Sequence, residues 1–382
     1  MPFQKQEFAR RGITASETVV LIGILFLLLA LLMPWVLSLW NGRGRGLGER
    51  GHMCGSQMRQ IATACCTYET LHKSYPPGLP SCMAQPKPGE IVNNLGVSAG
   101  AYCQGPNWLS AVLEQLEEKP SADNLKLCLN HKWNACDECS IAGSEAPDSW
   151  TAVGSKVPRA LVCPSAPDTF NPLDSKSAGL SNIAKGNYAG CWGMEAYINS
   201  DDTADRDPPY FEQKRLTASK KNGMFEHVTL ATTTTKMNDP LLKPKGKKLG
   251  HDKGTTVNSI KDGVSKTIMI SEILGYDSVT DGRGAWTVGA MGCTGFTGKY
   301  PPNSTLPDQV PICDPKIKTP EGLICQEKRT TRAFATARSA HKGGVNVSFA
   351  DYSTHYVSDN IDPIVWQALC TKAGGERVQP PD

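Results

Sequence analysis

"HKGGVNVSFADYSTHYVSDNIDPIVWQALCTKAGGE", residues 341–376, carries the densest structural signal in the chain. Val345, Val347 and Phe349 alternate with Asn346, Ser348 and Ala350. A period of two predicts a half-buried strand, with one face turned to a core. Tyr356 and Val357 lie on a returning segment, so Asp351 and Tyr352 mark a two-residue hairpin turn. Asp362 then stands where a helix N-cap belongs, with Pro363 at the first helical position and Gly374–Gly375 where the helix stops.

Toward the N-terminus, "KTIMISEIL" around Ile268 and "RALVCPS" around Leu161 predict two further strands. "PNWLSAVLEQLEEK" predicts an amphipathic helix with Trp108, Leu109, Val112, Leu113 and Leu116 inward and Asn107 as its cap. "CGSQMRQIATACCTYETLHKSYPPG" predicts another, with Met58, Ile61, Ala62, Cys65 and Tyr68 on one face and Pro76, Pro77 and Gly78 as its stop. Residues 200–255 are polar and lysine-rich and read as a solvated insertion. They lack the interleaved aromatics of a single-strand nucleic-acid platform. The formal net charge of +3 agrees in predicting no nucleic-acid partner. With 36 glycines and 27 prolines, long loops are expected. Fourteen cysteines point to disulfides in an oxidising compartment or to metal binding.

The other informative stretch is Val19–Trp40, 22 residues without a charge. As a helix it spans the roughly 30 Å hydrocarbon core, and it exceeds the roughly 7–15 apolar residues of a secretory signal. It predicts a single membrane pass with the body exported, which favours disulfides over metal for the cysteines. Lys5, Arg10 and Arg11 are matched by Arg43, Arg45 and Arg50, so charge does not set the orientation. "NGRGRGLGERG", residues 41–51, reads as a flexible basic linker next to lipid. Two residues are unexpected in a plain anchor. Glu17 is a carboxylate at the lipid edge that needs a partner, and Pro34 bends or locally melts its helix.

"RRGITASE" resembles the type IV prepilin processing site. The resemblance implies cleavage after Gly12, Ile13 as the mature N-terminus, and Glu17 as the acid that pairs with the free amine of a neighbouring subunit. Pro34 falls where pilins carry a kinking proline. Ile13 departs from the usual Phe, and "ITASE" is more polar than the common start. The body has the landmarks "SQMRQIATACCTYETLHKSYPPG", "WLSAVLEQLEE", "VPRALVCPSAP", "GNYAGCWG", "NSIKDGVSKTIMISEIL" and "NIDPIVWQALCTKAGGE". In that order they resemble the prepilin-type family known as domain of unknown function 1559, whose signature is His, nine residues, then Asp-Gly. His341 and Asp351 keep the spacing, with Gly344 inside it, and Tyr352 replaces the final glycine. In a two-residue turn, positive φ at that position costs a tyrosine roughly 1–2 kcal/mol, so another turn type or a longer loop is expected.

The resemblance implies a pilin-like α+β layout, in which a long N-terminal hydrophobic helix precedes a large antiparallel-sheet-containing domain with long loops. Residues 1–12 would be a leader, 13–40 the transmembrane and assembly helix, 41–53 a linker, and 54–382 an extracytoplasmic domain with its signature segment at 336–378. The implied role is a non-enzymatic pilin or pseudopilin-like subunit of a type II secretion or type IV pilus-like filament in the inner membrane. Its partners would be a prepilin peptidase, homologous subunits, an inner-membrane assembly platform and membrane lipid. Two other classes stand beside it: a membrane-anchored binding module that never polymerises, and a secreted metal-dependent enzyme.

Three constellations bear on that last class. His341 and Asp351 form no recognisable nucleophile system, and a histidine bonded to the hairpin backbone accounts for them, so no catalytic residue is assigned. Cys128, His131, Cys136 and Cys139 have zinc-ligand chemistry, but in an exported chain disulfides are favoured. Asp351, Asp359 and Asp362 are candidate calcium ligands, although a hard cation needs six or more oxygens and turn and capping duties explain all three. No cofactor is therefore expected, with zinc and calcium as the alternatives.

Overall fold

The computed structural model describes residues 53–80, 107–122, 153–166, 171–175, 180–195, 221–225, 227–228, 254–316, 324–327 and 333–379. They belong to the second of the two compact units into which the chain divides, 1–50 and 51–382. Among the described residues no helix is long and apolar enough to cross a membrane. The apolar stretch 19–40, the linker 41–51 and most of the insertion 200–255 lie outside them.

In chain order the elements are helix α1 over 53–72, strand β1 (Leu79–Pro80), helix α2 (Trp108–Ala111) and strands β2 (Leu173–Ser175), β3 (Leu180–Ile183), β4 (Tyr188–Cys191) and β5 (His227–Val228). There follow β6 (Ile268–Glu272), β7 (Gly295–Phe296), β8 (Asp308–Val310), β9 (Cys325–Glu327), β10 (Gly344–Phe349), β11 (Thr354–Ser358) and helix α3 (Pro363–Leu369). The main sheet runs β11-β10-β6-β4-β7, antiparallel except for the β4–β7 edge. Among the described residues three two-stranded sheets, β1-β5, β2-β3 and β8-β9, accompany it. The α+β class and the antiparallel pairing expected from the sequence are both present.

Helices cover both faces of this sheet. On one side Val345, Val347, Phe349 and Val357 pack with Trp366, Leu369 and Cys370 of the α3 region. On the other, Met58, Ile61, Ala62 and Cys65 of α1 pack with Tyr188, Met269, Ile270, Trp108 and Phe225. The alternation in β10 was expected to mean one wet face, yet all six residues are buried. Asn346 and Ser348 face α1, not water, and a Cβ on Gly55 of α1 would lie only 3.4 Å from Asn346 Oδ1. Polarity in this strand therefore marks a buried polar site.

Helix α1 forms as its apolar periodicity predicts. Thr63, Thr67 and Thr70 return their hydroxyls to the carbonyls four residues back. It ends at Lys73, whose φ of 60° leaves the helical region just before Pro76. Helix α2 starts on the expected Asn107, whose side chain accepts from Ser110 N while Ser110 Oγ accepts from Asn107 N. It is a single turn, shorter than its sequence pattern, because the chain passes into tighter turns and Glu117 takes φ 63°. Trp108, Leu109, Val112 and Leu113 are nevertheless buried, and Leu116 is half-buried.

Three expectations are corrected. "RALVCPS" is no strand: Arg159–Leu161 is a 3-10 turn between Pro158 and Pro164, and Leu161 O accepts from Asn187 N outside any ladder. Gly374 and Gly375 do not end α3, which stops at Leu369. They form a separate turn whose N–H groups donate to Asp262, at 2.7 and 2.8 Å. The β10–β11 turn holds three residues, 350–352, between the bonded pair Phe349 and Ser353, not two. Phe349 N donates to Ser353 O and Tyr352 N to Phe349 O, with Tyr352 at φ 69°. This is the hairpin that closes through a left-handed residue after a turn. Positive φ is thus kept at the position of the missing glycine.

Candidate functional site

The sheet lines up a row of side chains on its α1 face. Tyr188 of β4 is registered against Glu272 of β6, and Asn346 of β10 stands beside Glu272 on the other flank. Glu272 ends a fully buried strand, after Ile268, Met269, Ile270 and Ser271, and is 1% exposed. A lone buried carboxylate is costly unless its oxygens are satisfied. Here Oε2 accepts from Asn346 N at 2.7 Å, and Oε1 accepts from Asn346 Nδ2 at 3.1 Å and meets His341 Nε2 at 2.9 Å. Hydrogen bonding to Glu272 pushes the His341 pKa above its ordinary value, against the opposing effect of burial.

Against this pair lies the disulfide Cys54–Cys163. Cys163 Sγ is 3.7 Å from Glu272 Oε1 and 3.8 Å from His341 Nε2. Cys54 belongs to the first turn of α1, and that turn is held twice more. Tyr188 Oη donates to Cys54 O at 3.0 Å and meets Gln57 Oε1 at 3.2 Å. Gln57 Nε2 in turn donates to Arg159 O. Cys163 N donates to Asn187 Oδ1, which fixes the far end of the bridge beside β4. One covalent bond and several hydrogen bonds therefore secure the N-terminal turn of the body to the middle of the main sheet.

A second buried polar cluster borders the other disulfide, Cys313–Cys325. Arg283 forks onto Asp281, its Nε 3.0 Å from Oδ1 and Nη2 3.0 Å from Oδ2. Arg338 forks onto Asp308, and Arg283 Nη1 reaches Asp308 Oδ2 at 3.4 Å. All four residues are at most 3% exposed. Two cations and two anions, each in a planar fork, form a balanced network.

The residues singled out in the sequence are distributed as follows. His341 bonds neither Asp351 nor the hairpin backbone through its ring. It precedes β10 and Asp351 follows it, so a six-residue strand of about 3.3 Å per residue separates them. Gly344 is required by close approach: a Cβ there would collide with Val357 O across the hairpin. Its own carbonyl accepts from Ser339 Oγ at 2.6 Å. Asp351 accepts from Ser353 N and Oγ, Asp359 from Asn303 Nδ2, and Asp362 from Ile364 N and Val365 N at the start of α3. These three carboxylates serve separate local duties and form no common ligand set among the described residues. Gly12, Ile13, Glu17, Pro34, Cys128, His131, Cys136 and Cys139 lie outside those residues.

Sequence reasoning missed Glu272 and Asn346 as partners of His341. The available signal was an acid two residues after the apolar run Ile268–Ile270, within one short strand. Among the described residues, the groups whose ligand atoms gather within 4.8 Å are Cys54, Cys163, Glu272 and His341, and Asp281, Cys313 and Cys325.

Residues 50–364 match the family described as "Protein of unknown function (DUF1559)". No curated protein and no solved structure matches the chain.

Proposed function

The chain belongs to the DUF1559 family of proteins of unknown function, and from that premise we propose that it is a membrane-tethered, prepilin-like subunit whose exported body is carried by its N-terminal segment. Its leader is cleaved after Gly12, Glu17 pairs with the freed amine of Ile13 on a neighbouring copy, and subunits leave the membrane to pack as a pilus-like or secretion-type filament. The observation that carries the reading is the clamp on the first turn of α1. A pull arriving at the start of α1 meets the Cys54–Cys163 bridge within the helix's first turn. Peeling α1 would otherwise expose Met58, Ile61 and Cys65, all 0% exposed. In a body that hangs from a membrane or filament segment, such a fixed point keeps α1 on the sheet under load.

Mass spectrometry of the protein taken from native membranes is the direct test. A mature chain beginning at Ile13 is expected, and one beginning at Met1 removes the processing step. Glu17→Ala then separates assembly from simple anchoring. Loss of the protein from sheared filament fractions, at an unchanged membrane level, is the assembly outcome. Indifference to the substitution leaves a tethered binding module.

A further inference from the structure

The four groups gathered at the clamp have a second arrangement open to them. Cys54 and Cys163 bring two sulfurs, His341 a ring nitrogen and Glu272 a carboxylate oxygen, and these atoms lie within 4.8 Å of one another. Their types match a tetrahedral zinc set of two thiolates, one imidazole and one carboxylate, with bonds of about 2.0–2.3 Å. In such a site two ligand atoms stand roughly 3–4 Å apart, as tetrahedral angles and those bond lengths require. The 2.9 Å between His341 Nε2 and Glu272 Oε1, and the 3.7 and 3.8 Å from Cys163 Sγ to each, are already near that spacing. Soft sulfur and borderline nitrogen favour zinc over calcium or magnesium.

A second observation makes this a built site. Asn346 holds Glu272 from two directions, by its backbone N–H on one oxygen and its side-chain amide on the other. Outer-shell bonds of this kind orient a metal ligand before the ion arrives. Of the four ligand residues, Cys54, Cys163 and Glu272 are buried, while His341 is only partly so and gives the ion its route in.

We propose that the Cys54–Cys163 bridge is interchangeable with a zinc ion: reduction converts the clamp from a disulfide into a zinc site of two cysteines, one histidine and one glutamate that keeps α1 attached to the sheet. A dithiol supplies the electrons. One of its thiolates attacks a sulfur of the bridge, and its second thiol closes the reductant's own cyclic disulfide. Two electrons pass to Cys54 and Cys163, and the reductant's two thiol protons end on them. Zinc then replaces those two protons and the proton that the His341 imidazolium holds on Nε2 against Glu272; all three go to solvent, which leaves a neutral ring protonated at Nδ1 and the Nε2 lone pair on the metal. The proposal concerns the clamp alone and stands whether or not the chain assembles into filaments.

The test uses the full chain in detergent, in a Cys128→Ser/Cys136→Ser/Cys139→Ser background so that "CLNHKWNACDEC" cannot contribute. Zinc is titrated against a chromogenic chelator before and after treatment with a dithiol. One additional zinc per chain is expected in the reduced protein relative to the oxidised one, with X-ray absorption reporting two sulfur and two nitrogen or oxygen neighbours. Asn346→Ala should weaken that zinc about 10–100-fold by loosening Glu272. His341→Ala should remove it, and His341→Cys should restore it, which distinguishes a lost ligand from a damaged fold. Equal zinc uptake before and after reduction, or the same uptake in the reduced His341→Ala protein, overturns the proposal.

Discussion

Glu272 and Asp308 are both buried carboxylates, each on the main sheet or close to it and each in a cluster that borders a disulfide, yet the clusters are built differently. Asp308 pairs with Arg338 and shares Arg283 with Asp281, so two carboxylates face two guanidinium groups. Glu272 has one histidine and one asparagine, so its balance depends on a proton. A backbone bond, Arg338 N to Glu272 O at 2.9 Å, joins the two neighbourhoods. The first cluster is permanent structure. The second changes its charge when His341 gains or loses a proton.

The disulfides make the largest contrast. Cys54 and Cys163 are 109 residues apart, whereas Cys313 and Cys325 are 12 apart. In the chain-entropy account, closing about 100 residues contributes about 4.7 kcal/mol and closing about 15 contributes about 3 kcal/mol. Cys54→Ser/Cys163→Ser should therefore lower the urea midpoint further than Cys313→Ser/Cys325→Ser. An equal or reversed order would show that the longer loop is already constrained when unfolded.

Next come the carboxylates themselves. Asp308→Asn removes one of two negative charges and leaves a buried cluster with a net positive charge, a type of loss that costs about 3–5 kcal/mol. Glu272→Gln leaves a neutral His341 beside a neutral amide, and the cost falls to about 1–3 kcal/mol. Equilibrium denaturation of the two variants at neutral pH measures the gap directly. Equal losses would erase the distinction between the clusters.

The same distinction predicts opposite slopes with pH. His341 has its pKa raised in the folded state by the bond to Glu272. The folded protein holds that proton more tightly than the unfolded chain, so this contribution is complete below about pH 6.5 and is lost as pH rises through the folded value. Lys185 behaves oppositely. It is 3% exposed, and its ammonium donates to Tyr276 O and Ser278 O, at 2.5 and 2.6 Å. Burial lowers its pKa from 10.5 to about 8, opposed by Asp281, Cys293 and Asp277 and assisted by Arg283. Because the unfolded chain then binds more protons, stability should rise from about pH 8 to about pH 10.4. Denaturation midpoints at stepped pH should flatten at the lower window in His341→Ala and at the upper one in Lys185→Met.

How far the sequence revealed this is itself uneven. The β10–β11 hairpin, the Asp362 cap and helix α1 were legible because each follows from a local periodicity or a local capping bond. Residues 159–161 and the end of α3 were not, because prolines and the distant Asp262 decide them. The candidate site was half legible. His341 stood out by its spacing from Asp351, but its partner Glu272 is 69 residues away and is brought near only by the pairing of β6 with β10. Polar residues alternating in β10 looked solvent-facing because a sequence shows the period of a strand and not what packs on its second face.

The smallest effect is at the hairpin tip, where a local rule is broken. Tyr352 sits at φ 69°, a conformation that costs a residue with a side chain roughly 1–2 kcal/mol relative to glycine. Its ring is offset in return: it packs on the α1 side of the core, 6.3 Å from the Tyr75 ring, with the two hydroxyls 3.4 Å apart. Tyr75 Oη also donates to Ala350 O inside the loop, so the two tyrosines hold the tip against the end of α1. Tyr352→Gly relieves the backbone and loses the ring, and the change in stability should stay within about 1 kcal/mol of zero. Tyr352→Ala loses the ring without the relief and should fall about 1 kcal/mol below the glycine variant. Thermal midpoints of the pair decide the matter. If alanine and glycine are equal, the turn has relaxed out of the left-handed region, and the tyrosine was holding it there.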